Sequence, residues 1–102
     1  MAIQNTILTT SYSSVYTSTG DSATTVIYLC NTSSSPVKVD MCAVPSGGSA
    51  GAGNQIYKEL EILANDTYII DVEKLILEDG DSLQAKDDTG SVTTVTVSYV
   101  GI

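Results

Sequence analysis

The stretch Ala64–Ala85, ANDTYIIDVEKLILEDGDSLQA, decides the fold class of this chain. It contains two units of the same kind, each a polar turn followed by a short apolar-rich segment. Asn65-Asp66 precedes Thr67–Val72, and Glu78–Asp81 precedes Ser82–Ala85. Asn and Asp side chains hydrogen-bond nearby backbone groups in turns, and short segments between such turns are typical of strands. The stretch therefore predicts antiparallel β structure, and it contains no motif for a reaction.

The same alternation of short strands and polar turns extends over the whole chain. Helical periodicity is weak, and about eight strands at this spacing are typical of a sandwich. The predicted strands are Ile7–Thr10, Ser14–Ser18, Ala23–Asn31, Val37–Val44, Gln55–Leu63, Thr67–Val72, Ser82–Lys86 and Ser91–Val100. Leu75–Leu77 is either a further short strand or a crossing between sheets. We therefore expect an all-β fold, with residues 1–20 as an N-terminal arm or edge strands. Residues 21–102 would form one antiparallel sandwich, jelly-roll-like or immunoglobulin-like.

Alternation also predicts the buried face of the strand over Gln55–Leu63. Ile56, Leu60 and Ile62 share one parity, with Lys58 as the exception, and Tyr57 lies on the opposite parity. Side chains of one parity lie on one face of a sheet. We therefore expect Ile56 to face the core and Tyr57 to face solvent.

The final predicted strand is apolar on both of its faces. Val95 and Val97 share one parity, whereas Val100 and Ile102 share the other. Such a strand lies in the centre of a sandwich or is covered by a neighbouring subunit. We therefore expect the side chain of Ile102 to pack against another apolar surface.

Composition and charge exclude several classes of partner. The chain has twelve acidic residues, four lysines and no histidine, giving a formal net charge of −8. Nucleic-acid binding depends on Lys and Arg, so neither nucleic acid nor an anionic membrane is an expected partner. The sequence contains no run near the roughly 18 apolar residues of a membrane helix, and its start lacks the basic residues of a signal peptide. We expect synthesis in the cytoplasm without export.

The residue types that carry most enzymatic chemistry are absent. Without histidine, neither a Ser-His-Asp nor a Cys-His arrangement can form, and two cysteines cannot build a structural zinc site. A carboxylate pair for glycoside hydrolysis is not excluded by counting acids, but there is no tryptophan to stack on a sugar. We therefore expect no enzymatic activity and no cofactor.

Two acidic turns are weak candidates for a calcium site. Their carboxylates belong to Asp79, Asp81, Asp87 and Asp88, and we expect the two turns to lie at one end of the sandwich. Calcium prefers such oxygen-rich loops, but the spacing of a known calcium loop is missing. Turn chemistry accounts for the same residues, since Asp tolerates turn geometry and Gly80 supplies a positive φ.

The two cysteines lie in consecutive predicted strands around the turn at Ser33–Pro36. If these strands form a hairpin centred on Pro36, Cys30 and Cys42 stand opposite each other and can form a disulfide. A register shift of one residue puts them on opposite faces. The cytoplasmic expectation favours two reduced thiols.

Ser46–Asn54, SGGSAGAGN, is the one low-complexity segment. Its composition predicts a flexible hairpin loop, or a contact loop that becomes ordered against a partner. It lacks the Lys-Ser/Thr pair with which a phosphate loop binds nucleotide.

Five segments carry a resemblance to a known class of proteins: Thr25–Thr32 (TVIYLCNT), Ala43–Gly48 (AVPSGG), Ile56–Leu60 (IYKEL), Ala64–Ala85 and Val95–Ile102 (VTVSYVGI). In these segments the chain resembles the small β-sandwich virion proteins of tailed bacteriophages, in particular the capsid decoration, or cement, proteins. The resemblance covers the chain from about Ala23 onward.

The resemblance implies a non-enzymatic protein of the virion that coats or stabilises the assembled head in many copies. Its implied partners are the major capsid protein and further copies of itself, with a trimer favoured. The resemblance transfers no site residue. The residues expected to contact partners lie instead at the chain ends and in Ser46–Asn54, and they are Ile3, Ile7, Tyr12, Tyr16, Gly47, Gly48, Gly51, Gly53, Val100 and Ile102. The alternatives are a neck, collar, tail or fibre component, or an adhesion module that binds carbohydrate or calcium.

Overall fold

The computed structural model describes residues 2–71 and 74–102 and consists of two antiparallel sheets. The strands are β1 (Ala2–Ile7), β2 (Ser13–Thr17), β3 (Ser22–Asn31), β4 (Val37–Val44), β5 (Gln55–Ile62), β6 (Thr67–Ile70), β7 (Ile76–Leu77), β8 (Ser82–Asp87) and β9 (Thr93–Gly101). Ala52–Asn54 form one 3-10 turn. Within the described ranges, no helix is long and apolar enough to cross a bilayer.

The strand order is that of a jelly roll. Sheet A has the order β1-β9-β3-β6, with β7 also paired to β3, and sheet B has the order β2-β8-β4-β5. The first strand thus pairs with the last, β2 with β8, β3 with β6 and β4 with β5, as in a long hairpin rolled into two sheets. The all-β sandwich is confirmed, and of the two architectures expected it is the jelly roll.

Alternate side chains of both sheets fill the space between them. Leu29, Val95 and Val97 from sheet A meet Val39 and Leu83 from sheet B, and all five are 0% exposed. Burying one such side chain contributes about 1.5–3 kcal/mol. With neither Phe nor Trp in the chain, aliphatic side chains account for most of the core.

The first strand differs from its prediction. The sequence predicts Ile7–Thr10, whereas β1 ends at Ile7. Leu8 is 0% exposed and its N–H donates to Thr93 O in sheet A, while the neighbouring Thr9 O accepts from Asp87 N in sheet B. The chain therefore crosses from sheet A to sheet B at Leu8 and Thr9, and the apolar side chain of Leu8 is buried at this crossing. The remaining strands overlap their predictions within two residues at each end, except that Val72 lies outside the described residues.

The predicted hairpin around Ser33–Pro36 is wrong. β3 belongs to sheet A and β4 to sheet B, so the segment between them crosses from one sheet to the other. Neither expected register between Cys30 and Cys42 applies, and both residues are free thiols. A short polar turn with a proline can connect two strands of one sheet or two strands of different sheets, because its local conformation does not specify the partner strand.

The predicted faces of β5 are correct for Leu60 and Ile62 but wrong for Ile56 and Tyr57, which precede an irregularity in the strand. Lys58 and Glu59 together lie opposite the single residue Asp40, which makes a bulge. The bulge reverses the parity, so that Tyr57 packs against the core and Ile56 is 42% exposed. Lys58, the exception in the alternation, was the sequence signal of this bulge.

Candidate interaction surfaces

Charge is distributed unequally between the two sheets. The five strands of sheet A contain no charged residue, whereas the strands of sheet B contain residues of both signs. For a chain with a net charge of −8, a sheet free of charge needs an explanation, because charged side chains normally keep an exposed sheet face in solution.

The outward side of sheet A forms a surface that we call the uncharged face. It consists of the side chains that alternate with the core residues of β1, β9, β3, β6 and β7. Its central row crosses four strands in register, from Ile69 through Tyr28 and Thr96 to Asn5. The Thr96 hydroxyl donates to Asn5 Oδ1 at 2.8 Å, so the polar groups of this row bind each other.

Large apolar side chains are exposed on the uncharged face. Ile3, Ile7, Tyr28, Ile69 and Ile76 are each between 40% and 66% exposed. Four strands about 4.8 Å apart and four rows about 7 Å apart give a projected area on the order of 500 Å². An exposed patch of this size on a monomer often marks an interaction site.

The expected contact residues at the chain ends are placed as follows. Ile3 and Ile7 are exposed on the uncharged face, and Val100 is half-buried there. Ile102 is 69% exposed, and its N–H donates to Asp21 O at 3.0 Å. The end of the described chain is thus fixed through its backbone while its side chain remains accessible.

Tyr16 is an exception among the expected contact residues. Its side chain is 3% exposed, its hydroxyl donates to Ser22 Oγ at 2.7 Å, and its ring centroid lies 4.3 Å from that of Tyr99. Tyr16 is therefore a core residue and is not accessible to a partner. It is buried because β2 is an edge strand of sheet B rather than a detached arm.

Tyr12 lies on the outer side of sheet B within a polar network. The Lys86 ammonium lies 4.8 Å from its ring centroid, and Gln55 Nε2 donates to its hydroxyl at 3.3 Å. Desolvation, a hydrogen bond with Cys42 and the nearby Asp40 carboxylate raise the pKa of Tyr12 well above its ordinary value.

The segment Ser46–Asn54, which we call the glycine loop, lies between β4 and β5, and these two strands pair as a hairpin. Its backbone has several local partners: Gly51 N–H donates to Asn54 Oδ1 at 3.0 Å, Asn54 Nδ2 donates to Ser49 O at 2.9 Å, and the Cys42 thiol donates to Gly51 O at 3.5 Å. Gly47, Gly48 and Gly53 lie on the exposed side of the loop. The loop thus covers Cys42 with one side and presents the other to solvent.

The expectation that the two acidic turns share one end of the sandwich is wrong. Asp79 and Asp81 precede β8, whereas Asp87 and Asp88 end or follow it, so about 20 Å of strand separates the pairs. Across the described residues, no group of three or more His, Cys, Asp or Glu is arranged to hold a metal ion.

Each of these four carboxylates accepts a hydrogen bond from at least one backbone N–H group. Asp79 Oδ1 accepts from Gly20 N at 2.8 Å, and Asp81 accepts from Ser46 N and Glu78 N, both at 2.9 Å. At the other end, Asp87 Oδ1 accepts from Gly90 N at 2.6 Å, and Asp88 Oδ1 accepts from Lys38 N at 3.1 Å. Turn stabilisation accounts for these acids.

A groove of about 360 Å³ lies on sheet B, outside the uncharged face, and its lining includes Lys38, Lys58 and Lys86 together with acidic side chains such as Asp40. Lys86 Nζ lies 4.0 Å from Asp40 Oδ2. Because side chains of both charge signs line this groove, it does not select between positively and negatively charged ligands.

Another groove, of about 250 Å³, is apolar and opens between the edges of the two sheets. Its lining includes Ile56, Ile70 and Leu75. Ile56 stands beside the groove because the bulge in β5 turns it outward. The bulge thus contributes one apolar side chain to the lining of this groove.

Sequence reasoning found Ile3 and Ile7 but missed Tyr28, Ile69 and Ile76. The available signal was the absence of charge from five separate segments of a strongly acidic chain. That signal could not be used without knowing that these segments form one sheet, and strand pairing is not a local property. Comparison with known protein families, with curated proteins and with solved structures gave no match to this chain.

Proposed function

We propose that this chain is a non-enzymatic structural protein of a bacteriophage virion that coats the assembled head as a decoration protein. The observation that carries the proposal is the uncharged face, a sheet surface with exposed Ile3, Ile7, Tyr28, Ile69 and Ile76 on a protein of net charge −8. A surface with exposed apolar side chains and no charge is suited to contact with a partner protein, whereas the acidic residues elsewhere on the chain keep it in solution.

Two further features support this function. The segments that resemble decoration proteins include Thr25–Thr32 and Val95–Ile102, and these contribute β3 and β9, the two central strands of the uncharged face. The jelly roll also occurs in viral capsid domains, although a fold by itself does not determine function. The proposed partners are the major capsid protein and further copies of this chain.

Copy number tests the proposal directly. In purified particles, this chain should approach the abundance of the major shell protein when the two are quantified by mass spectrometry. A count of about a dozen copies would instead identify a neck or tail component, and absence from the particles would overturn the virion assignment altogether.

A binding experiment tests the face itself. Particles that lack this protein are mixed with the purified chain, and bound copies are measured by co-sedimentation. We expect Ile69→Lys to weaken binding at least about tenfold, because it places an unpaired charge in the covered surface. The matched control is Leu63→Lys, since Leu63 is similarly exposed but lies outside the face, at 58% against 51% for Ile69. Equal binding by both variants would contradict a role for the uncharged face.

A further inference from the structure

The free edge of β1 differs from the other edges of the two sheets. β5 is interrupted by its bulge, and β2 has a register break between Ser14 and Tyr16. β6 is four residues long and is separated from β7 by residues 71–75. Such interruptions protect an edge strand from pairing with another chain.

β1 has none of these protections over its described length. It pairs with β9 in unbroken register from Ala2↔Tyr99 to Ile7↔Thr94, and its sequence AIQNTI contains no charge, proline or glycine. A regular, uncharged edge of six residues is a ready template for strand addition.

The direction of the free backbone groups follows from the ladder with β9. Leu8 N–H donates to Thr93 O at 2.9 Å, continuing the register of β1 with β9. In an antiparallel ladder, alternate residues bond to the same neighbour. Ala2, Gln4 and Thr6 therefore bond to β9, and Ile3, Asn5 and Ile7 direct their N–H and C=O groups to the free edge.

We propose that β1 pairs antiparallel with β1 of a second copy of this chain, about a two-fold axis at Asn5. This register places Ile3 opposite the second copy's Ile7 and Asn5 opposite the second copy's Asn5, so the edge is complementary to itself. It forms about six hydrogen bonds, and the two Ile–Ile pairs add apolar contacts across the joined strands.

The uncharged faces of the two copies then join into one surface. A single face has a projected area on the order of 500 Å², below the roughly 800 Å² that each partner contributes to a standard interface, and two joined faces exceed this value. Charge also favours this edge, because the charged strands lie in sheet B, about 10 Å from sheet A. At physiological salt the Debye length is about 8 Å, so the repulsion between two acidic copies is largely screened there.

Sedimentation of the isolated 10.7 kDa chain tests the pairing independently of any role in a virion. We expect twice the monomer mass, with dimerisation strengthened by added salt. Ile3→Lys should give a monomer, whereas Ile76→Lys should remain a dimer. These two residues are matched, since both lie on the uncharged face with exposures of 65% and 66%. A wild-type monomer at about 1 mM, a trimer, or dimers of both variants would overturn the proposal.

A cross-link tests the register. Opposed residues of a hydrogen-bonded pair have Cα atoms about 5.5 Å apart, within the span of a disulfide. In a Cys30→Ser background, Asn5→Cys should form a disulfide-linked dimer on oxidation, whereas Gln4→Cys should not, because Gln4 lies opposite Thr6 of the second copy. Equal cross-linking of the two variants would exclude this two-fold axis.

Discussion

Asn31 is a buried carboxamide that connects two separate turns. It is 0% exposed, and its Nδ2 donates to Ser35 O at 2.8 Å, Ile62 O at 3.1 Å and Leu63 O at 3.2 Å. Its Oδ1 accepts from the backbone and side chain of Ser33. The side chain thus holds the crossing after β3 against the end of β5. A buried amide with its partners in place fixes one conformation of the chain around it.

Asn31→Ala should lower the free energy of unfolding by about 2–4 kcal/mol, because it removes five hydrogen bonds, including those to the buried Ile62 O and from the partly buried Ser33 N–H. Urea denaturation measures the change. Ser34→Ala, an exposed substitution in the same turn, is the control and should stay within about 0.5 kcal/mol of wild type. A small effect of Asn31→Ala would show that water replaces the side chain.

Tyr12 should make the stability of the protein fall at alkaline pH. Its pKa is raised in the folded chain, so above pH about 10 the unfolded chain releases the proton while the folded chain retains it. Stability associated with Tyr12 is therefore complete below pH about 10 and is lost as the pH rises further. Melting temperatures between pH about 8 and 11 should fall more steeply for wild type than for Tyr12→Phe. Parallel curves would mean that Tyr12 ionises equally in both states.

Strand bulges determine which side chains of an element reach the core. In β5, Glu59 has a φ of 51° in the left-handed region, and its N–H donates to Asp40 Oδ1 at 2.7 Å. A non-glycine residue there is strained by about 1–2 kcal/mol. The contact with Asp40 helps to hold Glu59 in this conformation, and the bulge in turn places Tyr57 against the core.

Glu59→Gly should stabilise the protein by about 0.5–1 kcal/mol, because glycine adopts a positive φ without strain. Glu61→Gly in the same strand is the matched control and should destabilise by a similar amount, since glycine weakens a regular strand. Urea midpoints of the two variants should therefore move in opposite directions. Two destabilised variants would indicate that the Glu59 side chain makes a compensating contribution.

Local sequence information predicted strands better than it predicted their partners. β4 has the predicted bounds, Val37–Val44, because its apolar alternation ends at a polar turn on one side and at Pro45 on the other. β1 was misplaced because its side chains are mostly exposed and it lacks a clear apolar parity. The sequence predicted single exposed residues such as Ile3 and Ile7 but not the uncharged face as a whole, since the face depends on which strands share a sheet and tertiary packing makes that choice.

Across the whole molecule, acidic side chains outnumber basic ones by twelve to four. The strands of sheet A contain neither kind, so the acids are concentrated in the rest of the protein. The mutual repulsion of the acids should therefore destabilise the fold at low salt. We expect the melting temperature to rise by a few degrees between about 0.01 and 0.3 M NaCl, over which the Debye length falls from about 30 Å to below 8 Å. The test uses Ile3→Lys at low protein concentration, so that dimerisation does not contribute. A fall in melting temperature would show that attractive pairs such as Asp40 and Lys86 dominate.

Because β1 pairs with β9 in the jelly roll, sheet A can form only late in the synthesis of the chain. β9 lies between β1 and β3, so sheet A has no centre until the final strand has been made. β1 must therefore wait for a partner strand that is at least 87 residues away, the separation of Ile7 and Thr94, and up to 97 residues away, the separation of Ala2 and Tyr99.

Contacts this distant in sequence form slowly, because the intervening chain must be ordered before they contribute. Until then the nascent chain presents β1 without a partner and β3 with one edge unpaired, and both strands are free of charge. The interval between translation of β3 and release of β9 is therefore when this protein is most exposed to aggregation, and slower elongation would lengthen it.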